Sequence, residues 1–232
     1  MVPIRDNNPT RITPFVTYGL IAINVGVFIY QLTLTPQELK QFFMTWALVP
    51  LALTESLTGQ LTYQPAVAPW MTLFTSQFLH GGFLHIIGNM LFLSIFGNNV
   101  EDKLGHFRYL IFYLACGALA ALTQWFFSAY STIPSLGASG AIAGVMGAYI
   151  LRFPGAKILT LLPLGFIIIP IHIPAFVFLG LWFVQQAFYG VASLDAQINI
   201  EEGGIAYWAH AGGFVFGAIL GPMLGLLSSD RR

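Results

Sequence analysis

Three apolar stretches of the chain each carry polar side chains of the kinds that perform acyl transfer. "HGGFLHIIGNM" contains His85 and Asn89, "LGASGAIAG" contains Ser139, and "YWAHAGGFVFG" contains His210. A serine hydroxyl becomes a strong nucleophile when a neighbouring base accepts its proton, and a histidine imidazole titrates close to neutral pH. Ser139 and His210 are therefore predicted to form a nucleophile–base pair.

Hydrolysis of an amide also requires hydrogen-bond donors that face the developing oxyanion. His85 and Asn89 are four residues apart and share one face of a predicted helix. The backbone N–H of Ser139 lies at the start of another predicted helix, where amide donors are free. We predict an oxyanion site from these three groups. The nearest acidic residues fall in a predicted loop at 191–205, which favours a Ser-His dyad over a triad.

Small residues follow Ser139 and His210 at helical spacing. They are Gly140, Gly144 and Ala148 in one stretch and Gly213, Gly217, Gly221 and Gly225 in the other. Such faces allow two helices to approach closely in lipid. Packing of these two faces against each other is predicted to bring His210 to Ser139, while Gly137 leaves the approach clear for a peptide bond.

The composition identifies the kind of element that must carry these residues. Of 232 residues, 56% are hydrophobic and 8% are charged, and the mean hydropathy is +0.75. Soluble domains carry about 25% charged residues, so a polytopic membrane protein is predicted. The net charge is zero and the sequence has no basic cluster, which argues against nucleic-acid binding.

Six apolar stretches predict an all-α bundle of six transmembrane helices over 15–227. They are 15–34, 83–100, 107–128, 139–153, 174–190 and 206–227. With the segments 1–14 and 228–232 inside, eight of the nine Lys and Arg residues obey the positive-inside rule. Both termini are therefore predicted to be cytoplasmic. The second, fourth and sixth spans then run inward, which places their polar residues toward the external face.

Two other segments are less regular. The first external loop, about 35–79, is long and amphipathic, which predicts a structure lying in the membrane interface. Segment 157–173 contains prolines and is interpreted as an irregular or interfacial piece. Gln185 and Gln186 are interpreted as helix–helix contacts rather than substrate ligands.

The three motifs, in this order within six spans, resemble those of the bacterial rhomboid intramembrane serine proteases. The resemblance implies that Ser139 in "GASG" is the nucleophile and His210 the base. It assigns His85 and Asn89 to the oxyanion site and His80 to a structural role. The implied substrates are single-pass transmembrane proteins, cut within or near the membrane without metal or cofactor. The implied location is the bacterial inner membrane, in contact with lipid.

The chain departs from the family pattern at two places. Some members carry an aromatic residue four positions after the serine, where it stacks on the histidine. Ala143 occupies that position, so the orientation of His210 must come from elsewhere. Many members also have a tryptophan–arginine pair in the first loop, whereas this loop has Trp70 without the arginine.

Three other functions fit parts of the pattern. A zinc site would need a third ligand at helical spacing beside His80 and His85, and the sequence lacks one. A small transporter would place polar groups toward the inner face as well. A catalytically inactive relative that binds membrane proteins usually loses the serine or the histidine, and both are present here.

Overall fold

A computed structural model describes residues 1–60, 65–165, 167–195 and 206–228, which form a helical bundle with one small sheet. The helices are α1 Phe15–Leu32, α2 Pro36–Trp46, α3 Pro50–Thr58, α4 Phe83–Leu104, α5 His106–Phe127, α6 Ser139–Arg152, α7 Ala175–Asp195 and α8 Tyr207–Met223. The strands are β1 Val2–Asp6, β2 Lys157–Leu164 and β3 Ile167–Pro174. Helix α4 contains a π-helical stretch, Leu93–Gly97.

Four helices, α1, α4, α5 and α7, are long and apolar enough to cross a membrane. Helices α6 and α8 coincide with the other two predicted spans but have only 14 and 17 residues. At 1.5 Å per residue α6 covers about 21 Å, less than the roughly 30 Å of a hydrocarbon core. Every residue from Gly140 to Tyr149 is buried. Protein rather than lipid therefore surrounds α6, and the count of six spans stays a prediction.

Strands β2 and β3 of segment 157–173 pair antiparallel, so the irregular interpretation of this segment is wrong, and the mostly helical fold departs from the all-α prediction at this sheet. The antiparallel sheet has the order β1-β2-β3. Pro163 lies beyond Leu161, the last residue of β2 paired with β1, and Pro170 lies on the edge strand β3. Prolines are tolerated where no neighbouring strand needs an amide donor. The prolines that argue against a helix are thus compatible with this hairpin.

The N-terminal strand is attached to the bundle through a half-buried carboxylate. Asp6 Oδ2 accepts hydrogen bonds from the Tyr149 hydroxyl and from Asn99 Nδ2. Burial raises the pKa of the Asp6 carboxyl, and these hydrogen bonds oppose the rise. Asn7 extends the attachment, because its Oδ1 accepts from the Lys157 amide at 2.7 Å. The first residues of the chain are therefore held against α4, α6 and β2.

The segments predicted to lie inside meet at one end of the bundle. The contacts are from the Arg11 and Ile12 amides to Asp102 Oδ1, from the Lys157 amide to Asn7, and from Arg108 Nη1 to Leu224 O. Ser139 begins α6, and Arg152 ends it about 20 Å away at this polar end. The relative placement agrees with the predicted topology, while the orientation in the membrane and the boundaries 15–227 stay predictions.

The predicted first external loop is mostly helical. Thr35 and Glu38 form a capping box at the start of α2, and helical turns also occupy 69–78. The connection between α2 and α3 pairs with the chain before α6, because Leu48 and Ser135 exchange backbone hydrogen bonds. Residues 61–64, and 196–205 of the last predicted external loop, lie outside the described residues.

Candidate active site

The glycine faces of α6 and α8 pack directly against each other. A Cβ atom on Gly213 would overlap the carbonyl oxygen of Gly140, and one on Gly217 would overlap that of Gly144. The next pair along, Gly221 and Ala148, is also in contact, since such an atom would lie 3.1 Å from the Ala148 Cβ. At Gly213 and Gly217, only a residue without a side chain permits this spacing.

The predicted stripe does not extend to Gly225. Helix α8 ends at Met223, and Gly225 lies in the turn that follows, with a φ of +101°. Its backbone conformation is one that glycine adopts readily and other residues do not. Gly225 therefore terminates the helix rather than packing against α6, so this part of the prediction is wrong.

The close approach of the two helices brings the predicted nucleophile and base together. Ser139 Oγ and His210 Nε2 are 2.8 Å apart, within hydrogen-bond distance. Both residues are half-buried, so neither is sealed inside the bundle. Ser139 is the first residue of α6, and His210 lies in the first turn of α8. The geometry is that of a serine hydroxyl hydrogen-bonded to its base.

Two residues of α7 lie close to the His210 ring. Gln186 Oε1 lies 2.8 Å from His210 Nδ1, and the Trp182 ring centroid lies 5.7 Å from that of His210. The sequence interpretation of Gln186 as a helix–helix contact missed its partner. The one available signal was the spacing, because Trp182 and Gln186 are four residues apart and share a helix face.

His85 lies next to Gly137, just before the serine. A Cβ atom on Gly137 would lie 2.8 Å from His85 Nε2 and 3.6 Å from Ser139 Oγ. Gly137 also has a φ of +126°, in the region that favours glycine. The Gly81 amide donates to His85 Nδ1 at 3.4 Å, which leaves the proton on Nε2. His85 thus has a donor beside the serine.

Asn89 and the Ser139 amide are the other two predicted donors. Asn89 is buried, and its Nδ2 has no hydrogen-bond partner among the described residues. Buried amide donors are usually paired, whereas this one keeps an unused donor among the described residues. The Ser139 amide is at the N-terminus of α6, where no residue of the same helix accepts from it.

His80 is placed differently from the other site residues. It is buried, and its ring packs edge-on against that of His85, with centroids 5.1 Å apart. Gln31 of α1 holds its backbone by donating to the His80 carbonyl and accepting from the His80 amide. His80 therefore supports His85 and links it to α1. No three His, Cys, Asp or Glu side chains form a metal-binding cluster in the described part of the chain.

Comparison with known proteins identifies the family. The model of the rhomboid domain matches residues 67–226, which include the Ser139, His210, His85 and Asn89 positions. The chain belongs to the rhomboid family. Together with its four apolar helices, this membership makes the chain an integral membrane protein.

Relatives of this rhomboid occur in bacteria and in organelles. It is 28% identical to the mitochondrial Rhomboid protein 1 of Saccharomyces cerevisiae, over 88% of this chain and 51% of that protein. It is 34% identical to the Rhomboid protease GluP of Bacillus subtilis, over 69% of this chain and 27% of GluP. It is 28% identical to the chloroplastic Rhomboid-like protein 11 of Arabidopsis thaliana, over 93% of this chain and 68% of that protein. The rhomboid thus spans about half the length of the yeast protein and about a quarter of GluP.

Proposed function

We propose that this rhomboid is an intramembrane serine endopeptidase with Ser139 as nucleophile and His210 as base. The observation that carries the proposal is the 2.8 Å contact between Ser139 Oγ and His210 Nε2, made by two helices packed through glycine. Family membership agrees with it, because relatives include the Rhomboid protease GluP and the Rhomboid-type serine protease 2 of Emericella nidulans.

The geometry supports a two-step hydrolysis. His210 Nε2 accepts the Ser139 proton while Oγ attacks the carbonyl carbon of the scissile peptide bond. The resulting oxyanion accepts hydrogen bonds from His85 Nε2, Asn89 Nδ2 and the Ser139 amide. His210 then donates its proton to the leaving amine, and an ester with Ser139 forms. Water, deprotonated by His210, hydrolyses this ester and regenerates the hydroxyl.

The proposed substrates are single-pass membrane proteins cut within or near the bilayer. The pair lies at the N-terminal ends of α6 and α8, at the opposite end of α6 from Arg152 and the polar contacts with the N-terminal segment. Positive charge is concentrated at the Arg152 end, which by the positive-inside rule belongs on the cytoplasmic side. The opposite end, with Ser139 and His210, would then face the exterior. A bacterial inner membrane stays our proposal, as relatives also occur in mitochondria and chloroplasts.

A catalytically inactive rhomboid is the main competing function. Such a protein would bind membrane segments without cutting them, and it would need neither a nucleophile nor a base. The hydrogen-bonded Ser139 and His210, and the Asn89 donor that has no partner among the described residues, favour catalysis over binding alone.

The test is cleavage of a single-pass transmembrane substrate by the purified protein in liposomes. Ser139→Ala and His210→Ala should each abolish product, and Asn89→Ala should lower kcat about 100-fold with little change in KM. Ser94→Ala and His172→Ala are matched controls on α4 and β3, and they should retain activity. A fluorophosphonate probe should label the wild type and not Ser139→Ala. Undiminished cleavage by Ser139→Ala would exclude the assignment.

A further inference from the structure

The contact of the site that was least expected from the sequence is made by Nδ1 of His210. Gln186 Oε1 meets His210 Nδ1 at 2.8 Å, on the side of the ring opposite Ser139. The Gln186 side chain is buried, at 7% exposure, although the residue belongs to an apolar helix with an exposed lipid-facing side. A buried amide oxygen needs a hydrogen-bond donor, and here that donor is the imidazole.

This contact determines which ring nitrogen carries the proton. Neutral imidazole has one N–H donor and one acceptor nitrogen, and a carbonyl oxygen only accepts. Gln186 Oε1 therefore holds the proton on His210 Nδ1. His210 Nε2 is left with its lone pair toward the Ser139 hydroxyl, as a general base requires.

Trp182 restrains the same ring from one helical turn earlier. Its ring centroid is 5.7 Å from that of His210, with an interplanar angle of 34°. The position four residues after the serine holds Ala143, which is fully buried and has only a methyl group. Helix α7 thus contributes both Gln186 and Trp182 to the surroundings of the His210 ring.

We propose that Gln186 is a positioning residue that selects the tautomer and orientation of His210. The inference rests on the proposed function, since it concerns the base of that reaction. Gln186 acts through the histidine and does not touch the reacting atoms. Its neutral amide carries no charge to pair with the imidazolium formed during catalysis, unlike the carboxylate of a triad.

Two substitutions at this position test the proposal against a matched control. Gln186→Met keeps the length of the side chain but removes the acceptor, and Gln186→Glu keeps the acceptor and adds a charge. Gln185→Met makes the same replacement on the exposed, lipid-facing side of α7. Gln186→Met should lower kcat and the rate of fluorophosphonate labelling about 10-fold, with KM unchanged. Gln185→Met should match the wild type.

The pH profile of Gln186→Glu separates positioning from packing. A carboxylate beside the imidazole favours the imidazolium, so the acid limb of the kcat profile should move to higher pH. Activity above that limb should exceed the activity of Gln186→Met. If Gln186 only fills space, Gln186→Glu would not shift the acid limb of the kcat profile, and its activity would not exceed that of Gln186→Met.

Nitrogen-15 spectra of histidine-labelled protein give a readout independent of cleavage. The His210 resonances, assigned with His210→Ala, should show the Nδ1–H tautomer in the wild type and a loss of that preference in Gln186→Met. If the wild type cleaves no substrate but the tautomer still changes in Gln186→Met, the protease function is refuted and the positioning role of Gln186 remains. Wild-type rates and an unchanged tautomer in Gln186→Met would overturn the positioning role.

Discussion

The separation of α6 and α8 should control the activity of this rhomboid, and Gly213→Ala tests that dependence. Gly213 lies three residues after His210, and Gly140 lies directly after Ser139. A methyl group on Gly213 would overlap the carbonyl oxygen of Gly140 and would also lie 3.3 Å from the Ala120 Cβ. The added carbon is therefore enclosed by two helices, and it cannot rotate away.

The size of the effect follows from the contact distances. A carbon and a carbonyl oxygen need about 3.3 Å between them, so the helices must separate by about 1 Å. That displacement would lengthen the 2.8 Å contact between Ser139 Oγ and His210 Nε2 beyond hydrogen-bond range. Misplacement by 1 Å lowers a catalytic rate about 100-fold. Overpacking should also destabilise the fold by about 1–3 kcal/mol.

Proteoliposome cleavage and thermal unfolding in detergent would measure the two effects. Gly180→Ala is the matched control, because Gly180 lies in α7 with no atom within 4 Å of an added Cβ. The control should keep full activity and gain slightly in stability, as alanine favours a helix over glycine by about 1 kcal/mol. If Gly213→Ala cleaves within about twofold of wild type, the helix separation does not set the catalytic geometry.

Three further substitutions test other parts of the structure. Gly137→Ala adds a carbon 2.8 Å from His85 Nε2 at a φ of +126°, so kcat should fall about 100-fold while the fluorophosphonate still reports an intact serine. Glu101→Ala leaves the Thr17 amide and hydroxyl at the start of α1 without their acceptor, which should cost about 3 kcal/mol in unfolding measurements. Hydrogen bonds from the N-cap threonine of α2 hold the pKa of Glu38 below its ordinary value. The stability that these hydrogen bonds give to α2 is therefore fully present above the ordinary pKa of a glutamate, and it is lost as the pH falls through the lowered pKa of Glu38. Amide-exchange protection in the first turn of α2 should differ between wild type and Glu38→Gln at neutral pH, and the difference should vanish in acid.

The residues of the candidate site could be selected from the sequence because polar side chains are rare in their surroundings. A polar side chain inside an apolar stretch is costly and therefore informative. Ser139, His85, Asn89 and His210 could each be selected on that ground. Glycine spacing added the prediction that α6 and α8 approach each other, because residues four apart share a helix face. The structure places Ser139 Oγ against His210 Nε2, as that argument expects.

The β-hairpin could not be predicted with the same rules. Prolines in 157–173 exclude a helix, but they do not show which neighbouring strand is available. β1 comes from the first residues of the chain, and besides its pairing with β2, Asp6 at its end accepts hydrogen bonds from Tyr149 and Asn99. Such a pairing joins distant parts of the sequence and leaves no periodic signal in either segment.

The sequence by itself determined that this chain is an apolar helical protein. It also placed a serine, two histidines and an asparagine toward the same end of three predicted helices. Composition and spacing are local properties, and they suffice for that conclusion. Only the tertiary structure decided which side chains meet the His210 ring. Gln186 and His210 are 24 residues apart on different helices. Their contact depends on how α7 packs against α8, and a single helix pattern does not specify the neighbour that its polar side chain will meet.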